Sequence, residues 1–335
     1  MSETGATILG CAGQQLSQAE AAFFREAAPW GFILFSRNVG DAEQLRALCA
    51  DLREAVGREA PILIDQEGGR VHRLAPPLGR AWPAPLDHAE AASDAARALF
   101  LRYRLIAAEL RDLGIDANCA PMADVAEEAT HLFLKNRCYG SEPGVVARRA
   151  RAVAEGLMAG GVLPVLKHVP GHGRARADSH LELPVVRASK DELEAQDFAA
   201  FRPLGDLPLA MTAHIVYSAF DADRPATTSP RMIRHIRDGI GIEGLLMTDD
   251  ISMQALHGPM AARAEDSIAA GCDVVLHCNG EMAEMEQVVA GSGTLWGAAA
   301  RRADAAIAAR RTPEDLDIAE AEEELRALGG MAGDG

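Results

Sequence analysis

Between Lys167 and His180 the chain places Lys167, His168, His172, Asp178 and His180 among glycines and a proline, directly after the apolar run 161–166. Buried charge is costly unless paired or used, and functional side chains concentrate on loops held by a rigid scaffold. A merely solvated loop would need no Lys-His pair at the mouth of a strand. Asp178 stands two residues before His180, close enough in an extended loop for a direct hydrogen bond. Such a bond fixes the imidazole tautomer and supports the protonated ring, which a general acid near neutral pH requires. Asp249 follows the apolar run 244–248 and is flanked by Thr248, Asp250 and Ser252. Neighbouring residues on a strand point to opposite sides, so Asp249 is assigned to the pocket and Asp250 to a helix cap or loop; the alternative is that both are caps. His168 and His172 have the i, i+4 spacing of a zinc pair, but Pro170 and Gly171 between them disfavour a helix. No metal is expected, and His172 is expected to stand behind the reacting groups.

These residues need a scaffold, and the chain supplies a repeating one. Short apolar runs at 7–9, 31–35, 61–64, 115–119, 161–166, 208–212, 244–248 and 273–276 alternate with longer Ala-rich amphipathic segments. That is the pattern of parallel strands joined by crossover helices. Ser17 with Glu20, and Ser189 with Glu192, have capping-box spacing at two helix starts. Helices are expected over 91–113, 145–159 and 230–238, while 121–144 is too long for an ordinary connection and reads as a functional excursion holding Asp124 and Arg137. Asp65, Asp124, Lys167, His168, His214 and Asp249 all fall just beyond expected strands, the layout of an α/β fold of the (β/α)8 TIM-barrel type. An open doubly wound sheet would gather its ligands at one switch point, usually with a glycine fingerprint, and neither G-x-G-x-x-G nor a P-loop is present. The expected organisation is one barrel domain over 1–335, with 329–335 a frayed tail.

Composition narrows the partners. The chain of 335 residues is 48% hydrophobic and 24% charged, with a formal net charge of -16. Such an acidic balance argues against nucleic acid and anionic membranes as partners. Six scattered cysteines without a CxxC read as reduced thiols in a cytosolic protein. Neither a signal segment nor a run of about 20 apolar residues is found, so the expected compartment is the cytoplasm.

Lys167, His168, Gly171, His172, Gly173, Asp178, Ser179, His180, Leu183 and Pro184 together resemble the signature of the family 3 glycoside hydrolases, in particular the bacterial β-N-acetylglucosaminidases of cell-wall recycling. Asp65 through Arg70 with Arg73, Asn118 through Asp124, Asn136 through Gly140 and Met247 through Met253 agree in order and spacing. The resemblance implies Asp249 as nucleophile and His180 as acid/base assisted by Asp178. It implies that Asp65, Arg73, Arg137, Lys167 and His168 hold the sugar's hydroxyls and N-acetyl group. It further implies a monomeric, cofactor-free, retaining exo-enzyme that removes terminal β-GlcNAc from muropeptides ending in anhydro-N-acetylmuramic acid. Phosphorolysis on the same scaffold and a non-catalytic muropeptide-binding barrel are the competing readings. The chain departs from the family pattern at Val169, where an aromatic is common, at Arg174 and Arg176, and over 131–135. It also ends without the further domain of larger members.

Overall fold

The computed structural model describes residues 4–175 and 183–329; Arg176, Asp178, His180 and the segment 330–335 lie outside the described residues. Eight parallel strands close into a barrel: β1 (Gly5–Gly10), β2 (Pro29–Leu34), β3 (Ile62–Ile64), β4 (Ala117–Asn118), β5 (Leu163–Val169), β6 (Leu209–Thr212), β7 (Leu245–Asp250) and β8 (Val274–His277). Each strand pairs with its neighbour in sequence and β8 returns to β1, which makes this the expected (β/α)8 barrel.

Side-chain alternation explains why the strands can be apolar on both faces. Ile8, Ile33, Leu63, Val165, Met211, Met247 and Leu276 pack inside the barrel. Their neighbours Leu9, Phe32, Ile64, Leu166, Ala210, Leu246 and Val275 pack outward with Phe24, Leu45, Leu48 and Leu52 of the helices. Parallel strands covered by crossover helices bury both faces, so nearly continuous apolar runs are required. Each buried aliphatic side chain contributes about 1.5–3 kcal/mol. Trp30 meets Ala303 and Ala306 of the helix Gly297–Ala308 in the inner cluster. All six cysteines are buried and free, and burial pushes the Cys11 and Cys49 thiols up to about 12, as suits small core residues.

Both capping boxes form, Ser17 with Glu20 and Ser189 with Glu192. The helix expected over 91–113 runs over Ala95–Asp112, beginning later because the Asp94 side chain accepts the Arg97 amide at 3.1 Å, and a separate short helix, Pro85–Ala91, precedes it. Helix Pro230–His235 widens into the turn Ile236–Ile240, ended by Gly241 at φ +90°. Strand β4 is shorter than expected because the Asn118 side chain takes over ladder positions, accepting from the Gln66 amide and donating to the Gln66 carbonyl, each at 3.0 Å. Strand β7 is longer than expected and runs through both aspartates.

Two insertions rise above the strand ends. After β3 comes a ribbon in which Gln66–Gly68 pairs antiparallel with Val71–His72. After β4 the excursion carries Asp124, the one-turn helix Leu132–Lys135 and Arg137 before the helix Pro143–Ala159 begins. No described helix is long and apolar enough to cross a membrane.

Candidate active site

Asp65, Arg73, Arg137, Lys167, His168 and Asp249 line one cavity of about 220 Å3 at the C-terminal mouth of the barrel. They come from the ends of β3, β5 and β7, the ribbon and the excursion, so the closed barrel brings together residues up to 184 positions apart in sequence.

Lys167 is the hub. Its Nζ lies 2.8 Å from Asp65 Oδ1 and 2.6 Å from Glu67 Oε1. Arg137 clamps Glu67 with both Nε and Nη2 at 2.8 Å, and Arg73 Nη2 stands 3.5 Å from Asp65 Oδ2. Burial alone would raise the Glu67 pKa, but Arg137 and Lys167 outweigh it and hold the carboxyl well below the usual range. For Lys167, burial pulls down while Asp65 and Glu67 pull further up, so the ammonium persists. Three cations thus face two carboxylates, leaving one positive charge over at the cavity wall.

A second network stands beside it. Asp124, fully buried, accepts from His168 Nδ1 at 2.7 Å with one oxygen and from the His172 amide at 2.5 Å with the other. Holding Nδ1 fixes the His168 tautomer and ring plane. His172 is buried next to His168, and burial with that neighbour lowers its pKa to about 4, a neutral imidazole at neutral pH. It lines the cavity itself, where it was expected to stand behind it. The rings of His168 and His172 lie edge to face, 5.5 Å between centroids. Beyond them, Arg174 reaches Asp197 at 2.6 Å and Glu127 at 2.9 Å, and the Tyr217 hydroxyl donates to the Gly171 carbonyl at 2.5 Å. These bonds fasten the chain up to the last residue described before 176. Burial still pushes Asp197 up to about 6 against the pull of Arg174. Asp178 and His180 lie outside the described residues.

Asp249 has its carboxylate below the ordinary range: burial raises it, but His168, His214, the Asp250 amide and Lys167 together outweigh burial. Its Oδ1 accepts the Asp250 amide at 2.8 Å. Asp250 also borders the cavity, yet its oxygens accept from the Ser252 amide and hydroxyl at 3.1 and 2.7 Å and from the Cys278 amide at 3.2 Å. It holds the loop, while Asp249 remains an ionised carboxylate beside a positive wall. His214 sits beneath, donating Nε2–H to the Asp250 carbonyl at 3.0 Å.

Glu67 was not among the residues expected from the sequence, although its position two residues after Asp65 in an extended segment is a signal for a shared face. Asp124 and His214 were noted at strand ends without a role; the structure gives both one, orienting His168 and supporting the Asp250 backbone. Phe35 and Phe133, which also line the cavity, carried no recognisable signal. Among the described residues no group of three or more His, Cys, Asp or Glu is placed to hold a metal ion. An ionised carboxylate facing many fixed donors is suited to attack on the acetal carbon of a polyhydroxylated ligand.

A β-hexosaminidase from Alkalilimnicola ehrlichii is 40% identical over 286 residues, covering 82% of this chain and 81% of that one. The structure of NagZ from Neisseria gonorrhoeae in complex with zinc ion superposes with a TM-score of 0.85 at 29% identity, over 98% of both chains. A family 3 β-N-acetylglucosaminidase from Paenibacillus sp. gives a TM-score of 0.84 at 27% identity, over 97% of this chain and 67% of that one. Residues 9–304 match the glycosyl hydrolase family 3 N-terminal domain, and the chain therefore belongs to glycosyl hydrolase family 3 as a glycoside hydrolase.

Proposed function

We propose that the chain is a retaining exo-β-N-acetylglucosaminidase that removes terminal β-GlcNAc from muropeptide fragments ending in anhydro-N-acetylmuramic acid, acting as a cytoplasmic, single-domain monomer. The observation that carries this reading is Asp249, a half-buried carboxylate held below the usual range at the mouth of a family 3 barrel whose relatives include β-hexosaminidases. Asp249 attacks the anomeric carbon while His180, supported by Asp178, protonates the leaving oxygen. Water deprotonated by His180 then releases the sugar from the covalent intermediate. The roles of His180 and Asp178 rest on the family resemblance of their motif.

Asp65, Arg73, Arg137, Lys167 and His168 supply acceptors and donors for the hydroxyls and the N-acetyl group. Because Lys167 and Arg137 are already locked on carboxylates, these groups meet the sugar without reorganising, and fixed donors in a dry site act more strongly than in water. A cavity of about 220 Å3 is smaller than the ~300 Å3 and upward typical of drug-sized ligand sites, which suits one terminal sugar ring. No metal takes part in this scheme.

Three measurements test the reading. On an aryl β-GlcNAc, Asp249→Ala should lower turnover by about 10^4-fold with the fold intact, and Asp250→Ala by much less; reversed effects would exchange their roles. Lys167→Met removes a cation that holds Asp249 ionised, so the carboxyl's pKa should rise and the acid limb of kcat/KM should move to higher pH. An unmoved limb would assign it to another group. Dialysis against a chelator should leave the rate unchanged, whereas a loss restored by zinc would put a metal into the mechanism.

A further inference from the structure

At the N-terminal end of the barrel, opposite the catalytic mouth, a second cavity of about 260 Å3 is lined by Arg53, Arg111, Arg310 and Arg311 together with Glu59 and Asp116. Asp116 is buried and serves two guanidiniums with one oxygen. Its Oδ2 lies 3.2 Å from Arg53 Nη2 and 3.1 Å from Arg310 Nη1, while Oδ1 accepts the Ile62 amide at 2.8 Å. The Glu59 side chain is 83% exposed and adds only a 3.5 Å contact to Arg53 Nε. Arg111 and Arg311 pair with no carboxylate among the described residues, and the acid beside Arg111, Asp112, bonds Arg46 at 2.5 Å instead. Four cations thus meet two carboxylates, a local positive excess on a chain whose net charge is -16. The excess acts within the cluster: burial pulls the Arg310 pKa down, Asp116 pulls it up, and Arg53 and Arg111 press it down again.

The backbone that carries these arginines is fixed. Arg53 sits in the last turn of the helix Ala42–Val56, with Nε donating to the Ala60 carbonyl at 3.2 Å, and Arg111 in the last turn of Ala95–Asp112. Arg310 and Arg311 begin the segment that follows the helix Gly297–Ala308. Arg310 Nη2 donates to the Glu59 carbonyl at 2.9 Å, and beyond Arg311 the Glu314 amide donates to the Ala159 carbonyl at 2.9 Å. Gly161 has φ +74°, and a Cβ there would stand 2.9 Å from the Arg311 carbonyl, so this segment lies directly on the barrel floor. The helix dipole accounts for one arginine at each helix end. It does not account for two more brought to the same cavity by the segment that follows the last barrel helix.

We propose that this cavity binds a phosphate-class oxyanion, either free phosphate or the phosphoryl group of a small ester, between Arg111 and Arg311 with Arg53 behind them. Each planar guanidinium offers paired N–H donors that match phosphoryl oxygens, and charge-assisted bonds of this kind are the strong ones. Because the arginines come from two helices and the segment after Ala308, the bound anion ties that segment to the floor and stabilises the folded chain by mass action. The site lies away from the sugar cavity and is independent of the function proposed above.

Thermal unfolding and titration calorimetry of the full chain test this with inorganic phosphate and with glucose 6-phosphate, each against sodium chloride at matched ionic strength. At about ten times the dissociation constant, the ligand should raise Tm by ~2 °C over the chloride control. Arg111→Gln combined with Arg311→Gln alters only exposed side chains, so the fold and the turnover of an aryl β-GlcNAc should stay as they are. Binding to that double variant should weaken by about tenfold or more and the rise in Tm should vanish. Arg311→Gln alone should lose part of the rise, and Arg311→Lys less of it. Equal rises with both ligands would place recognition in the phosphoryl group itself, and a rise with the ester alone would identify an ester as the ligand. No rise beyond the chloride control overturns the site. A rise of undiminished size in the double variant overturns it equally, because the anion then binds elsewhere.

Discussion

The placement of Lys167 between Asp65 and Glu67 is the interaction on which the rest of the site depends. Taking an ammonium and two carboxylates out of water costs several kcal/mol per ion, repaid only when geometry and further hydrogen bonds are good. Here Arg137 completes Glu67 with two bonds and Arg73 stands by Asp65. The network ties β3 to β5 and to the excursion after β4, so the barrel mouth holds its shape because its charges are matched. Removing one member would leave its partner buried and uncompensated, a loss of about 3–5 kcal/mol. Chemistry and stability at the mouth thus draw on the same residues.

Asp249 lies within reach of Lys167 from that network and of two histidines. Burial by itself would push the carboxyl toward its neutral form, and His168, His214, the Asp250 amide and Lys167 reverse the direction. Asp250 shows the division of labour one residue on, since its oxygens are spent on Ser252 and Cys278. Asp124 does for the histidines what Glu67 does for the cations: fully buried, it holds His168 by the ring and His172 by the backbone. The residues after β5 leave this centre with their near end fastened by Arg174, one of the departures from the family pattern, through Asp197 and Glu127.

Much of this was legible in the sequence, for identifiable reasons. Strands buried on both faces must be apolar throughout, so all eight runs stood out, and polar residues directly after them marked the mouth. Asp65, Arg73, Arg137, Lys167, His168 and Asp249 were found that way or through the resemblance, and the structure gathers them in one cavity. What was not legible were the pairings, because nothing local shows that Glu67 will meet Lys167 and Arg137. Boundaries failed where a side chain competes with the backbone: Asn118 shortens β4, and Asp94 starts a helix four residues later than Ala-rich composition suggests. The aspartate pair failed in part for a similar reason, since β7 extends to Asp250 and both residues reach the cavity edge.

In the proposed reaction Asp249 becomes covalently bonded to the sugar. A 2-fluoro-GlcNAc-type substrate with a good leaving group slows breakdown of a glycosyl-enzyme, so the intermediate accumulates and can be located by peptide mass spectrometry. One added sugar per chain is expected, on Asp249, with activity lost in step with labelling. Labelling on Asp250 or Asp65, or turnover of the substrate with no adduct at all, would contradict it.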